Sequence, residues 1–408
     1  MKKKCGDGWS HSMPTDAWRT VRLGEVADDV TVGHVGSMAA EYVESGIPFL
    51  RSLNIEPHRI DLAGVKFVSP EFHARLKKSA LKPGDVVTVR TGKPGATAVV
   101  PDHLPEANCS DVVITRPGPE LDPRWLSYYI NGVATGYISS RLVGAVQQHF
   151  NVGSAKEMVL AMPPLAEQRG IAATLGALDD KIESNRRVIE LSERLLDALA
   201  ADATLGLPSA TLGDLVVVAK NTVNPATLGT ELVDHFSLPA FDEGGRPERM
   251  VAEAIMSNKL ALPGRSVLLS RLNPRINRTW WATPAEGIPA LSSTEFLCMR
   301  ASSDIDLAAV WLALRCEEFL DQLPARVTGT SGSHQRVRPD DVLAIEVPDV
   351  SRLPQSAKLT ALGLLEGAEQ RAEERTRLAA LRDAILPELL SGRIRMPEAQ
   401  QAMAGVGA

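Results

Sequence analysis

Arg271, Asn273, Arg275, Asn277 and Arg278 crowd one short stretch of the chain, and Gln335, Arg336 and Arg338 follow further on. Guanidinium forks pair with the O6/N7 edge of guanine and carboxamides with the N6/N7 edge of adenine, so these residue types suit the reading of base edges in a duplex groove. The first half of the chain offers a comparable set in Arg90, Thr91, Lys93, Gln147 and Gln148. Each of these cations is equally suited to holding a phosphate, which positions a nucleic acid without reading its sequence.

Catalytic chemistry finds fewer footholds. A loop that cradles nucleotide phosphates needs Gly-x-x-x-x-Gly-Lys followed by a hydroxyl residue, and Gly92-Lys93-Pro94 has neither the upstream glycine nor the hydroxyl. Amino-methyltransferases carry Asn or Asp ahead of Pro-Pro and an aromatic, where a flipped base is held. Neither Met162-Pro163-Pro164-Leu165 nor Leu272-Asn273-Pro274-Arg275 fits that pattern. No acid-x-lysine pair stands where a nuclease would hold its metal. His149 and His334 lack a cysteine or triad partner nearby, which favours a structural or DNA-contacting role. Trp280-Trp281 is suited to packing a domain before stacking on a base. Cys5, Cys109, Cys298 and Cys316 are too far apart for a metal-ligand set, so reduced, incidental thiols are expected. The expectation is no catalytic residue, no metal site and no cofactor of the chain's own.

The net charge of −6 argues at first against a nucleic-acid partner, yet it averages over a pattern. From Phe72 to Pro101 Asp85 is the only acid, against Arg75, Lys77, Lys78, Lys82, Arg90 and Lys93. From Ala254 to Ala285 there is no acid, while Lys259, Arg265, Arg271, Arg275 and Arg278 are all present. Two basic stretches in an otherwise acidic chain suit a phosphate backbone, and also suit a solvated face. The basic start Met1-Lys2-Lys3-Lys4 runs into Cys5-Gly6-Asp7-Gly8 where a signal peptide would place its apolar run, and no long apolar span follows. A cytoplasmic protein with no membrane partner is expected.

The elements that must position these residues come in two sets. Leu23-Gly24-Glu25-Val26 recurs as Leu212-Gly213-Asp214-Leu215, and Pro83-Gly84-Asp85-Val86-Val87 with Arg90 recurs as Pro263-Gly264-Arg265-Ser266-Val267 with Arg271. His149-Phe150-Asn151-Val152 aligns with His334-Gln335-Arg336-Val337, Met162-Pro163 with Val347-Pro348, and Leu195 to Leu199 with Leu381 to Ile385. The order holds from end to end, which indicates a tandem duplication. Each repeat begins with short β-branched runs between turn residues, joined by helical stretches at Trp125–Ile130 and Leu307–Leu314. The expected class is α+β.

Each repeat closes in a long helix. After Pro163-Pro164 an apolar seam runs Ile171, Leu175, Leu178, Ile182, Asn185, Ile189, Ser192, Leu196 and Leu199, in alternating steps of four and three that mark a supercoiled pair. Leu165 to Leu205 would span on the order of 60 Å, more than one compact domain needs. The second helix, roughly Gln355 to Leu390, offers Ala361, Leu365, Ala368, Ala372, Leu378, Ala379, Leu381, Ile385 and Leu386 for close approach. Pro387 should kink or end it, and Gly392 supplies a stop. The two helices are expected to pack antiparallel, with Asn185 either fixing register or facing solvent.

Met162-Pro163-Pro164-Leu165-Ala166-Glu167-Gln168-Arg169-Gly170-Ile171-Ala172, continuing to Leu178-Asp179-Asp180-Lys181-Ile182-Glu183, resembles the central conserved segment of type I restriction-modification specificity (S) subunits. Leu381 to Gly392 resembles their C-terminal conserved segment, and the duplication extends the resemblance from Trp18 to Pro397. Pro354 to Arg371 departs from it, lacking the full proline, glutamate and glutamine signature. The resemblance implies a non-catalytic subunit whose two target-recognition domains each read half of a split double-stranded DNA site. The paired helices would set the unread spacer and dock two methyltransferase subunits, and motor-nuclease subunits would join for restriction. S-adenosylmethionine, ATP and Mg would belong to those partners. The expected layout is a loosely ordered 1–17, recognition domains at 18–163 and 207–350, conserved helices at 164–206 and 351–395, and a flexible tail at 396–408. Two repeats on such a pair are expected to relate by pseudo-twofold symmetry. A duplicated scaffold that binds only protein is the competing expectation, against which the basic stretches argue.

Overall fold

The computed structural model describes residues 18–142, 149–327 and 335–394. The terminal segments 1–17 and 396–408, together with Cys5, Gln147, Gln148 and His334, lie outside the described residues. The chain divides into two compact units, one formed by residues up to Glu183 with those from Thr376 onward, the other by Ser184–Arg375. Each unit therefore takes a mixed α/β region and a section of both long helices.

In the first unit a four-stranded antiparallel sheet runs in the order Thr97–Val99, Val86–Val89, Val112–Pro117, Ala27–Val32. A five-stranded sheet runs Tyr42–Val43, Lys66–Val68, Ile47–Leu50, Ala107–Cys109, Ala80–Leu81, and its one parallel pair joins Ile47–Leu50 to Ala107–Cys109. Val86–Val89 is buried at every position because side chains alternate between two cores. Val86 and Val113 face Trp125 and Leu126, while Val87, Val89 and Ile114 face Leu50, Leu81 and Ala98.

The second unit holds a four-stranded sheet in the order Thr279–Ala282, Ser266–Ser270, Phe296–Arg300, Val217–Val218. Its five-stranded sheet runs Glu248–Val251, Leu232–Phe236, Ala290–Ser292, Lys259–Ala261, Thr222–Val223, again with a parallel pair in the middle. Val267, Leu269, Leu297 and Met299 enter one core and Leu268, Phe296 and Cys298 the other. Trp280 and Trp281 are both buried, Trp280 among Phe236, Phe241 and Phe296 and Trp281 edge-on to Trp311. Cys109, Cys298 and Cys316 are free and buried.

The central helix runs Leu165–Ala203 and the C-terminal helix Gln355–Leu390. The first begins where Pro164 offers its carbonyl to the amides of Glu167 and Gln168. Gln168 is fully buried and fixes that entry: its Oε1 accepts from the Asp122 amide, and its Nε2 donates to the carbonyls of Glu120 and Pro163. In the first unit Ile171, Leu175 and Leu178 pack with Ile385, Leu389 and Leu390, with Leu378 and Leu381 partly buried beside them. A Cβ at Gly132, at the end of helix Pro123–Gly132, would lie 2.2 Å from the tip of the Leu386 side chain, which would have to shift.

In the second unit Leu196, Ala200, Ala361 and Leu365 share one core, with Leu199 partly buried against it. Ile182 and Ile189 are half-buried within their respective units. Asn185 is buried and its Nδ2 donates to Glu374 Oε2 at 3.0 Å, a bond that exists only in this helix register. The pairing within each unit is antiparallel. Of the two outcomes expected at Pro387, a kink or an end, the helix does not end there but runs on to Leu390. Pro387 removes a single amide on an exposed face, and the helix stops instead at Gly392, whose φ of 72° suits a left-handed cap.

In the first unit Asp179 accepts from the Tyr128 hydroxyl through one oxygen and from Arg382 at 2.9 Å through the other, tying the α/β region to both helices. His58 stacks on Tyr128 with ring centroids 4.4 Å apart. Burial lowers its pKa from 6.5 to about 4, opposed by Asp179 and Asp383 and reinforced by Arg382. The unfolded chain protonates His58 as pH falls through about 6.5, the folded chain only near pH 4. Stability linked to His58 is therefore complete above that range and declines towards pH 4, by up to about 3 kcal/mol. His58→Asn, which tolerates the φ of 66° there, should make thermal stability fall less steeply between pH 6.5 and 4, leaving the slope owed to His235, also lowered to about 4 by burial, and to carboxyls such as Asp242 and Glu295 that their arginines hold low. Identical slopes for the two proteins would assign the acid sensitivity elsewhere.

Candidate nucleic-acid interface

The loop after strand Ser266–Ser270 is anchored at both ends. The Ser270 amide donates to the Arg278 carbonyl at 2.9 Å, and the Ser270 hydroxyl donates to the Leu272 carbonyl at 3.1 Å. Asn273, at a left-handed φ of 49°, turns the chain, and the Ile276 amide closes the turn on the Asn273 carbonyl. The Asn273 amide donates to the Gln335 carbonyl, and Leu272 bridges to Arg336. Two bidentate ion pairs brace this frame: Arg278 with Asp242 at 2.7 and 2.9 Å, and Arg336 with Glu295 at 3.0 and 2.8 Å. These pairs hold the Asp242 and Glu295 carboxyls below the usual carboxylate range. Arg271 donates to the Thr294 carbonyl.

The tip left outside the frame is Arg275, Ile276 and Asn277, all exposed. The Asn277 Oδ1 accepts from the Thr279 hydroxyl, which orients the amide. Asn273 Oδ1 is buried without a partner among the described residues, a cost of about 1–3 kcal/mol tolerated where a site must keep its shape. Arg338 is exposed at the N-terminus of the short helix Pro339–Leu343.

The first unit builds the same junction. The Arg90 amide donates to the Asp111 carbonyl and its own carbonyl accepts from the Phe150 amide; in the second unit Arg271 stands likewise between Glu295 and Val337. Phe150 thus corresponds to Val337, and His149 to Arg336. The sequence alignment of His149 with His334 is two residues out of register, since backbone pairing and not residue identity fixes the match. From Arg90 the loop turns through half-buried Thr91 and exposed Gly92 and Lys93 before strand Thr97–Val99. Gln147 and Gln148 lie outside the described residues.

Two neighbours of this junction escape a motif-based reading. Ser52 donates from Oγ to the same Asp111 carbonyl that receives the Arg90 amide, which brings Ser52, between Arg51 and Leu53, next to the Arg90 backbone. Asp111 itself sits at a φ of 56°. A lone Asp amid alternating strands was the available signal, and Leu53 had none.

The two basic stretches differ in how their charge is used. In the first, Lys77, Lys78 and Lys93 are exposed and their ammonium groups have no partner among the described residues, Lys82 is exposed with its charge near Asp85, and Arg75 reaches Glu41 at 3.7 Å. In the second, Lys259 is buried and donates to Ser257, Arg265 is paired with Asp304 and Glu366 over the Trp281 ring, and Arg278 is paired with Asp242. Arg275 is the cation of that stretch whose guanidinium is exposed with no partner among the described residues. Among those residues no helix is long and apolar enough to cross a membrane.

No protein-family profile matches the sequence. The fold is similar to the crystal structure of a type I restriction-modification system S subunit from M. genitalium, with a TM-score of 0.62 and 15% identity over 92% of this chain and 97% of that one. Matches of lower TM-score, 0.35 and 0.39, each 17% identical, are the crystal structure of the HsdS subunit from Thermoanaerobacter tengcongensis and a structure of the type I restriction-modification system described for its complex assembly and conformational transition.

Asp242→Ala should release Arg278 and speed amide hydrogen exchange across residues 271–279, with exchange in strand Ser266–Ser270 unchanged. Unaltered exchange in the loop would show that the backbone bonds at Ser270 and Asn273 suffice to hold it.

Proposed function

We propose that this chain is the DNA-specificity subunit of a type I restriction-modification enzyme. On this reading it is built from two tandem repeats, and each unit reads one half of a bipartite double-stranded site. The observation that carries it is the recurrence, within a fold similar to an S subunit over nearly the whole chain, of an arginine clamped at the same junction in both units. Arg90 and Arg271 launch loops towards exposed cations, and a clamped backbone spares the entropy of ordering a loop on binding.

The central helix, continuous from Leu165 to Ala203, serves as the spacer between readers. On its outer face Val188, Leu191 and Leu195 stay exposed at helical spacing, a stripe suited to a helical partner. The partners are methyltransferase subunits, two per chain, and motor-nuclease subunits when the outcome is restriction. S-adenosylmethionine, ATP and Mg act on those subunits in the cytoplasm, and this chain contributes no catalytic group.

Co-expression with a methyltransferase subunit followed by mapping of methylated adenines tests the reading: a split motif with a fixed unread gap is expected, and methylation unchanged on deleting this chain would refute it. Arg275→Ala should relax or abolish one half-site while leaving the other intact, whereas equal loss at both would count against two independent readers. Leu191→Asp should weaken co-purification of the methyltransferase subunit at least tenfold with the melting temperature unchanged, since Leu191 is about half exposed. Full retention would move the docking surface elsewhere.

A further inference from the structure

We propose that each reader uses one exposed aliphatic side chain, Leu53 in the first unit and Ile276 in the second, to recognise the methyl group of a thymine in its half-site. The inference rests on the DNA-reading role proposed above.

Leu53 is 81% exposed and Ile276 53%. A single exposed aliphatic residue is ordinary on any surface. Here Leu53 follows Ser52, which shares the Asp111 carbonyl with the Arg90 amide, Ile276 follows the exposed Arg275, and both sit in hydrogen-bonded turns. Leu53 occupies a one-turn helix, Ser52–Asn54, in which the Arg51 amide donates to Asn54 Oδ1 and the Asn54 amide to the Arg51 carbonyl. Asn54 is buried, with its Nδ2 on the Asp61 carbonyl, and Ser52 is tied to Asp111. Leu53 cannot fold back into the core without breaking that set. Ile276 lies between exposed Arg275 and Asn277 in the turn closed on Asn273.

The two residues come from different loops, one following the parallel strand Ile47–Leu50 and the other following Ser266–Ser270. Each unit thus arrives separately at a cation next to a projecting aliphatic group. In the major groove the thymine C5-methyl is the one apolar carbon substituent on the base edges, cytosine offering only a C5–H there, so an aliphatic side chain gains most against thymine and leaves polar edges desolvated elsewhere. Arginine beside it favours an adjoining guanine or the phosphate.

The test uses the complex of this chain with its methyltransferase subunit and the motif obtained from methylation mapping. Synthetic duplexes carry deoxyuridine in place of each thymine in turn, which deletes the methyl group alone. One position per half-site should weaken binding about fourfold, the worth of burying one carbon. Leu53→Ala should abolish that sensitivity in one half-site and Ile276→Ala in the other, each leaving the second half-site as in the wild type. Wild-type binding indifferent to deoxyuridine would overturn the proposal. So would alanine variants that keep the wild-type sensitivity, or that lose affinity equally for thymine and deoxyuridine duplexes, as a side chain wedged between base pairs would. A wild-type complex with no sequence preference at all would instead refute the reading role itself, a separate outcome of the same titration.

Discussion

The apolar seam of the central helix is the constraint on which the other elements depend. Ile171, Leu175 and Leu178 form one core with Trp125 and Leu126 on one side and with Ile385, Leu389 and Leu390 on the other. Leu196 and Ala200 do the same with Trp311, Ala361 and Leu365. Each buried leucine contributes on the order of 2 kcal/mol, but only once the last helix has returned along the first. Residues of the two helices that lie far apart in the chain must meet before either core closes, so closing loops of long sequence separation precedes the reward.

Polar bonds make that pairing specific. Apolar surfaces alone tolerate sliding by a helical turn, whereas Asp179 satisfies both Tyr128 and Arg382 in one arrangement, and buried Asn185 meets Glu374 in one. Gln168 plays the same part at the helix entry, bonding Glu120 and Asp122 of the loop before helix Pro123–Gly132 and the Pro163 carbonyl of its own segment. A buried carboxamide left with an orphaned bond would cost about 1–3 kcal/mol, so these contacts exclude neighbouring registers more than they add attraction.

The candidate interface inherits its rigidity from these cores. Strands buried on both faces hold the ends of each loop, and ion pairs finish the task. Arg278 and Arg336, two of the forks that suit base reading by residue type, are paired with Asp242 and Glu295 and brace the loop. The groups left to meet a ligand are fewer than the cations in the sequence, and they include the aliphatic side chains Leu53 and Ile276.

Much of this was already determined by the sequence. The alternation of steps of four and three marks the buried seam from Ile171 to Leu199, Pro164 and Gly392 bound the helices, and the β-branched runs mark the central strands, because these patterns express local periodicity and local backbone preference. The loops around Arg90 and Arg271 are legible as turns by the same means. Only tertiary structure decided which side chains remain available there. Arg278 finds Asp242 36 residues away and Arg336 finds Glu295 41 away. The match of Phe150 with Val337 rests on hydrogen bonds to the clamped arginines, and Ser52, next to Leu53, meets the Arg90 amide at a shared carbonyl. Partners that far apart leave no periodic trace, since their meeting is set by how sheets and helices pack and not by the residues on either side.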